Sequence, residues 1–159
     1  MPYQHEFLML ETSIYDPAKY NAWPTEKQLP INSGIIEYLW DSLTWLPTDF
    51  AHNKSIGKTN GIDPNGVCVL WRDGSLMFGK ICRHYASIFE LGPSNLMLTS
   101  PSCCNTDAEV DGFIPVSAFK VQKTKYERDL VVRNLRDIAD LCDLVAEKNN
   151  THYLAHRGL

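Results

Sequence analysis

Apolar residues recur along this chain with two periods, and the switching between them predicts both strands and helices. From His5 to Ser13 the run Phe7, Leu8, Met9, Leu10 is apolar and moderately β-prone, which predicts a strand. Asp16-Pro17 and Trp23-Pro24 then punctuate a loop reaching Asn32. Ser33 is placed to cap a helix carrying Ile35, Ile36, Leu39, Trp40 and Leu43 at helical spacing, and Pro47 stops it. Residues 51–66 hold glycine turn signals and Asp63-Pro64, which predict a long exposed loop. The β-branched run Val67 to Trp71 predicts a buried strand. Asp73-Gly74 signals a hairpin turn. Against it stand Phe78, Ile81, Cys82, Tyr85, Ile88 and Phe89 at three- and four-residue steps. Those periodic positions favour a helix from about Ser75 to Glu90, ended by Gly92-Pro93.

Asn95 to Ser100 predicts another strand, Pro101 to Gly112 a polar acidic loop (101–112), and Phe113 to Val121 an extended stretch. The clearest element is a helix from about Lys125 to Lys148, with the apolar stripe Leu130, Val131, Leu135, Ile138, Leu141, Cys142 and Val145. Arg133–Asp137 and Arg136–Asp140 are spaced as intrahelical pairs worth ~0.3 kcal/mol each. Asn149-Asn150 closes the helix, and Tyr153-Leu154-Ala155 begins a terminal strand. The stripe requires a flat apolar partner, and a sheet is the obvious one. The expected fold is α+β: one domain over residues 1–159, a mostly antiparallel sheet of about four or five strands, and two or three packing helices. There is no internal repeat and no low-complexity tract to divide it.

Composition narrows the function classes. Hydrophobic residues are 44% and charged residues 21% of the 159 positions, which argues against disorder. A net charge of -4 argues against a dedicated nucleic-acid binder, which carries a basic excess. Nothing resembles a signal peptide or a membrane span. Cys68, Cys82 and Cys142 sit among apolar neighbours and read as buried thiols, so the expected compartment is a reducing cytoplasm.

Individual motifs carry little chemistry. Gly57-Lys58-Thr59 lacks the glycine and the feeding strand of a phosphate loop. His152 and His156 share a face of the terminal strand but stand roughly 13 Å apart along it, too far for one metal ion, and read as surface or terminal-strand residues. Cys103-Cys104 supplies a nucleophile only if folding brings a histidine to it, and its neighbours Asp107, Glu109 and Asp111 are acidic. Those three carboxylates lack the terminal glutamate of a calcium loop, since Ala118 stands there. Trp23, Trp40, Trp45 and Trp71 read as core residues. No cofactor or metal is expected. Asp137, Asp140, Asp143 and Glu147 crowd the C-terminal half of the long helix, where the helix dipole disfavours them. They read either as a solvated face or as a surface for a cationic partner.

From Val67 onward, Phe89-Glu90-Leu91-Gly92-Pro93 runs directly into Asn95-Leu96-Met97-Leu98-Thr99. A long charged helix follows, and the chain ends His156-Arg157-Gly158-Leu159. This order of elements, over roughly the last 90 residues, resembles small immunity proteins of bacterial polymorphic toxin and contact-dependent inhibition systems. The resemblance implies a monomer or homodimer that binds and neutralises a cognate toxin domain, a nuclease for example. It would do so through acidic residues: Asp137, Asp140, Asp143 and Glu147, with Asp107, Glu109 and Asp111. No catalytic residue would then be expected. Two other classes stay open: an enzyme using Cys103 or Cys104 with a histidine, and a phage or bacterial interaction adaptor.

Overall fold

The computed structural model describes residues 4–12, 28–52, 55–62, 66–100 and 122–158. The elements are strands β1 (Gln4–Glu11) and β2 (Leu29–Asn32), and short helices α1 (Ser33–Tyr38) and α2 (Trp40–Leu43). Strands β3 (Pro47–His52), β4 (Ser55–Asn60) and β5 (Val67–Leu70) lead to helix α3 (Arg72–Glu90). Strands β6 (Asn95–Ser100) and β7 (Gln122–Glu127), helix α4 (Arg128–Glu147) and strand β8 (His152–Gly158) complete the order. The chain adopts the expected α+β class, with an antiparallel sheet, a long C-terminal helix and a terminal strand after it. The described residues include more strands than expected: six in the main sheet, ordered β2-β1-β8-β5-β3-β4, and two in a separate β6-β7 ladder. Every pairing is antiparallel.

The last strand is inserted between the first and the fifth. β8 pairs with β1 from His5↔Gly158 to Glu11↔His152, and with β5 from Val67↔Arg157 to Leu70↔Leu154. Both faces of this central trio are apolar, as a buried strand requires. Phe7, Cys68, Leu70 and Leu154 join the main core with Phe78, Cys82 and Phe89 of α3 and Val131, Leu135, Ile138, Cys142 and Val145 of α4. Leu8, Leu10, Val69, Tyr153 and Ala155 form a second cluster on the opposite face. Glu6 and Arg157 are directly cross-strand there, and Arg157 Nε donates to Glu6 Oε2 at 3.1 Å. That pairing explains why a charged residue is tolerated at Arg157, which is only partly exposed.

Several boundaries differ from expectation, each for a physical reason. Residues 51–66 are not one exposed loop: His52 to Ser55 pairs back to Pro47↔Asn60 as a ladder, and Gly61 and Ile62 are buried. Of the three glycines read as turns there, Gly57 lies within β4, Gly61 adopts φ 99° where that strand ends, and Gly66 stands in the bend just before β5. Thr48 Oγ1 donates to the Gly61 carbonyl at 2.5 Å, and Gly61 N–H to that of Leu46 at 2.7 Å. The long helix begins at Arg128 rather than Lys125, because residues 122–127 satisfy their backbone groups against β6, from Asn95↔Glu127 to Ser100↔Gln122. The first helix is broken at Leu39 into α1 and α2, and its cap is Asn32, not Ser33. Asn32 Oδ1 accepts from Gly34 N–H at 2.9 Å and from the Tyr126 hydroxyl at 2.8 Å, which ties β7 to the start of α1.

Helix α3 begins at Arg72, and Gly74 lies inside its first turn rather than in a hairpin. A Cβ at Gly74 would meet the Pro47 carbonyl at 2.5 Å, so close backbone approach accounts for this glycine. Asn149 and Asn150 close α4 with φ of 47° and 64°, the left-handed region that asparagine tolerates. No helix among the described residues is long and apolar enough to cross a membrane. The expected acidic loop 101–112 and extended stretch to Val121 lie outside the described residues.

Candidate functional site

Helices α3 and α4 lie antiparallel, and the contact starts from a glycine. A Cβ on Gly79 would sit 3.0 Å from Cys142 Cβ and 3.4 Å from the Ala139 carbonyl. With that spacing set, the polar residues flanking the seam meet across it. Arg83 reaches over to α4, its Nη1 donating to Asp143 Oδ1 at 3.3 Å and its Nη2 to Asp140 Oδ1 at 3.1 Å. Further along, Arg136 Nη2 lies 2.7 Å from Glu90 Oε1. The hydrogen bond to Asp143, foremost among these interactions, holds the Arg83 pKa above its usual value, so the guanidinium stays charged.

This geometry rewrites the charge pattern read from the sequence. Neither expected intrahelical pair forms: Arg136 turns to Glu90, and Asp140 turns to Arg83. For Arg136 and Asp140 the packed neighbouring helix offers each a partner, and the intrahelical alternative was worth only tenths of a kcal/mol; Arg133 and Asp137 take no ion pair among the described residues. Of the four carboxylates, Asp140 and Asp143 therefore share one cation, while Asp137 and Glu147 are exposed and in no ion pair among the described residues. A shallow trough of about 670 Å³ runs beside them, with Glu90, Arg128, Arg133, Arg136 and Asp137 among its lining residues. It carries both signs of charge. Asp107, Glu109, Asp111, Cys103 and Cys104 lie outside the described residues.

A second polar constellation was missed by sequence reasoning. His156 does not lie on the surface: it is 0% exposed, and His5 is 3% exposed. His156 is directly opposite both Phe7 on β1 and Cys68 on β5, and His5 is its diagonal neighbour on the same face. His5 Nδ1 and His156 Nε2 are 2.8 Å apart, and Cys68 Sγ is 3.4 Å from His156 Nδ1. A chain of hydrogen bonds from thiol to imidazole to imidazole leaves all three groups neutral, in either direction. Burial drives this neutrality: it lowers the His5 pKa to about 4 and the His156 pKa well below the ordinary value, with the neighbouring His5 adding to the latter.

The trio does not have the form of a reaction centre. Cys68 and His156 are fully buried and His5 nearly so, and none of the three faces solvent. Cys68 and His5 address opposite nitrogens of His156, so one cation cannot join all three through that ring. Among the described residues no group of three or more histidine, cysteine or acidic side chains is arranged to hold a metal ion. Cys68, Cys82 and Cys142 are buried, as read from their neighbours, and burial raises the Cys82 and Cys142 thiols out of the reactive range. His152, by contrast, is partly exposed and lies 3.9 Å from Glu11.

The tryptophans divide. Trp40 packs on the main core, and Trp71 packs on the second cluster with Nε1 donating to Asp49 Oδ2 at 2.6 Å. Trp45 is not a core residue: it is 63% exposed in the turn after α2. Trp23 lies outside the described residues. No family profile matches the chain, and neither a curated protein nor a solved structure matches it.

Proposed function

We propose that the protein acts by stoichiometric binding, as a cytoplasmic immunity protein that occupies a cationic surface of a cognate toxin domain, such as the phosphate-binding cleft of a nuclease. One observation carries this reading: among the described residues, the C-terminal half of α4 presents four carboxylates against a single cross-helix guanidinium, with Asp137 and Glu147 exposed and in no ion pair there. That excess lies where the helix dipole opposes it, so it is not there to stabilise the helix. A concentrated negative surface raises the association rate with a cationic partner and matches it at the interface. The Arg83 clamp gives the surface a rigid footing, because it fixes Asp140 and Asp143 before a partner arrives.

The test is co-expression with the toxin-like product of an adjacent gene. The expected result is a tight one-to-one complex, protected growth, and an association rate that falls with ionic strength. Asp137→Lys with Glu147→Lys is expected to weaken binding at least about tenfold while leaving the unfolding midpoint unchanged or slightly raised. Absence of protection, or equal affinity after charge reversal, overturns the reading.

A further inference from the structure

Helix α3 turns a second stripe away from α4. Ile81, Tyr85 and Ile88 follow one another at four- and three-residue steps and form one wall of a groove of about 460 Å³. Trp45 and Ser42 line the same groove, with the Trp45 ring 63% exposed. The Ser42 and Tyr85 hydroxyls are 3.0 Å apart. Two hydroxyls hold two protons, and their mutual bond uses one, which leaves a donor for a ligand. Lys80 and His84 stand one turn apart on the same helix, both exposed and neither in an ion pair among the described residues. The groove thus joins an apolar body, a planar indole, a hydroxyl proton with no acceptor among the described residues, and the Lys80 ammonium at its rim.

We propose that this groove binds a small organic anion, an aromatic carboxylate, with its ring against Trp45, Ile81 and Ile88. Its carboxylate would meet the Lys80 ammonium and the remaining hydroxyl proton. The volume falls in the range of small-molecule sites. The wall is about two helical turns long, too short to seat a partner helix. Charge complementarity selects an anion, and the exposed indole selects a flat body over an extended chain. This site is independent of the carboxylate surface on α4, and its test does not involve a toxin.

The experiment titrates the intact chain with 2-naphthylacetate and, separately, with its uncharged amide, followed by ¹H–¹⁵N spectra. The Trp45 indole resonance is assigned through Trp45→Phe. Expected are shifts at the Trp45 indole and across residues 80–88, with a Kd of roughly 0.1–1 mM. The amide is expected to bind about tenfold more weakly. Lys80→Met, which keeps the aliphatic stem, is expected to abolish that preference with the remaining spectrum unchanged. Equal binding of the amide, shifts confined to other residues, or no shift at roughly 10 mM would overturn the proposal. Tighter binding of an acidic phenylalanine-containing peptide than of 2-naphthylacetate would overturn it in favour of a protein partner.

Discussion

The buried pair His5–His156 makes the stability of this fold depend on pH above the range where carboxylates titrate. In the unfolded chain both imidazoles take up a proton near the ordinary histidine pKa of 6.5, whereas burial holds His5 neutral down to about pH 4. Because the folded pKa is lowered, the unfolded state binds protons first. Stability is therefore flat above about pH 7 and falls from about pH 6.5 downward. For His5 alone the loss is about 2 kcal/mol at pH 5 and approaches about 3 kcal/mol near pH 4. His156, whose pKa is also depressed, adds to it in the same direction. The variant His5→Gln keeps a side-chain amide to bond His156 Nε2 but cannot titrate. Urea unfolding followed by circular dichroism at pH 7.5 and pH 5.0 should show the parent losing about 2 kcal/mol more than the variant. Equal losses in the two proteins would mean that His5 titrates alike folded and unfolded, and the buried-pair argument would fail.

Other side chains give equally direct tests. Gly34→Ala places a Cβ 2.1 Å from the Tyr126 hydroxyl, so it should cost about 1–2 kcal/mol by breaking the Tyr126–Asn32 bond. The same change made on Tyr126→Phe should cost clearly less, as a double-mutant cycle would show. Gly79→Val should force α3 and α4 apart and cost about 1–3 kcal/mol by urea denaturation, since its Cβ alone meets Cys142 Cβ at 3.0 Å. Arg83→Met should cost no more than about 1 kcal/mol, because its ion pairs are largely solvated; a larger loss in chemical denaturation would show the clamp to be structural.

How much of the site was legible depended on what each residue needed. Asp137 and Glu147 were readable as exposed because helical period alone places them opposite the apolar stripe. The partners of Asp140 and Arg136 were not readable, since period says nothing about which helix lies alongside. Trp45 stands next to an apolar segment, which points to the core, and the turn after α2 carries it outward. The terminal strand is legible around His156, but its burial is not, because a lone histidine there has no local signal of burial. Its only local hint is the run of apolar neighbours Tyr153, Leu154 and Ala155.

Sequence by itself determined the elements whose signal is local: the β1 strand, the α3 and α4 stripes, and the asparagine stop after Lys148. Period, glycine and proline placement and side-chain volume act over a few residues, so they survive without knowledge of the fold. Tertiary structure alone decided what depends on distant backbone. It paired residues 122–127 with β6 instead of letting them extend α4, and residues 55–60 with β3 instead of leaving a loop. It also placed β8 between β1 and β5, which brings His5, Cys68 and His156 together from the two ends and the middle of the chain. Strand pairing satisfies backbone groups against a partner far away in sequence, and that partner is fixed only when the whole sheet assembles.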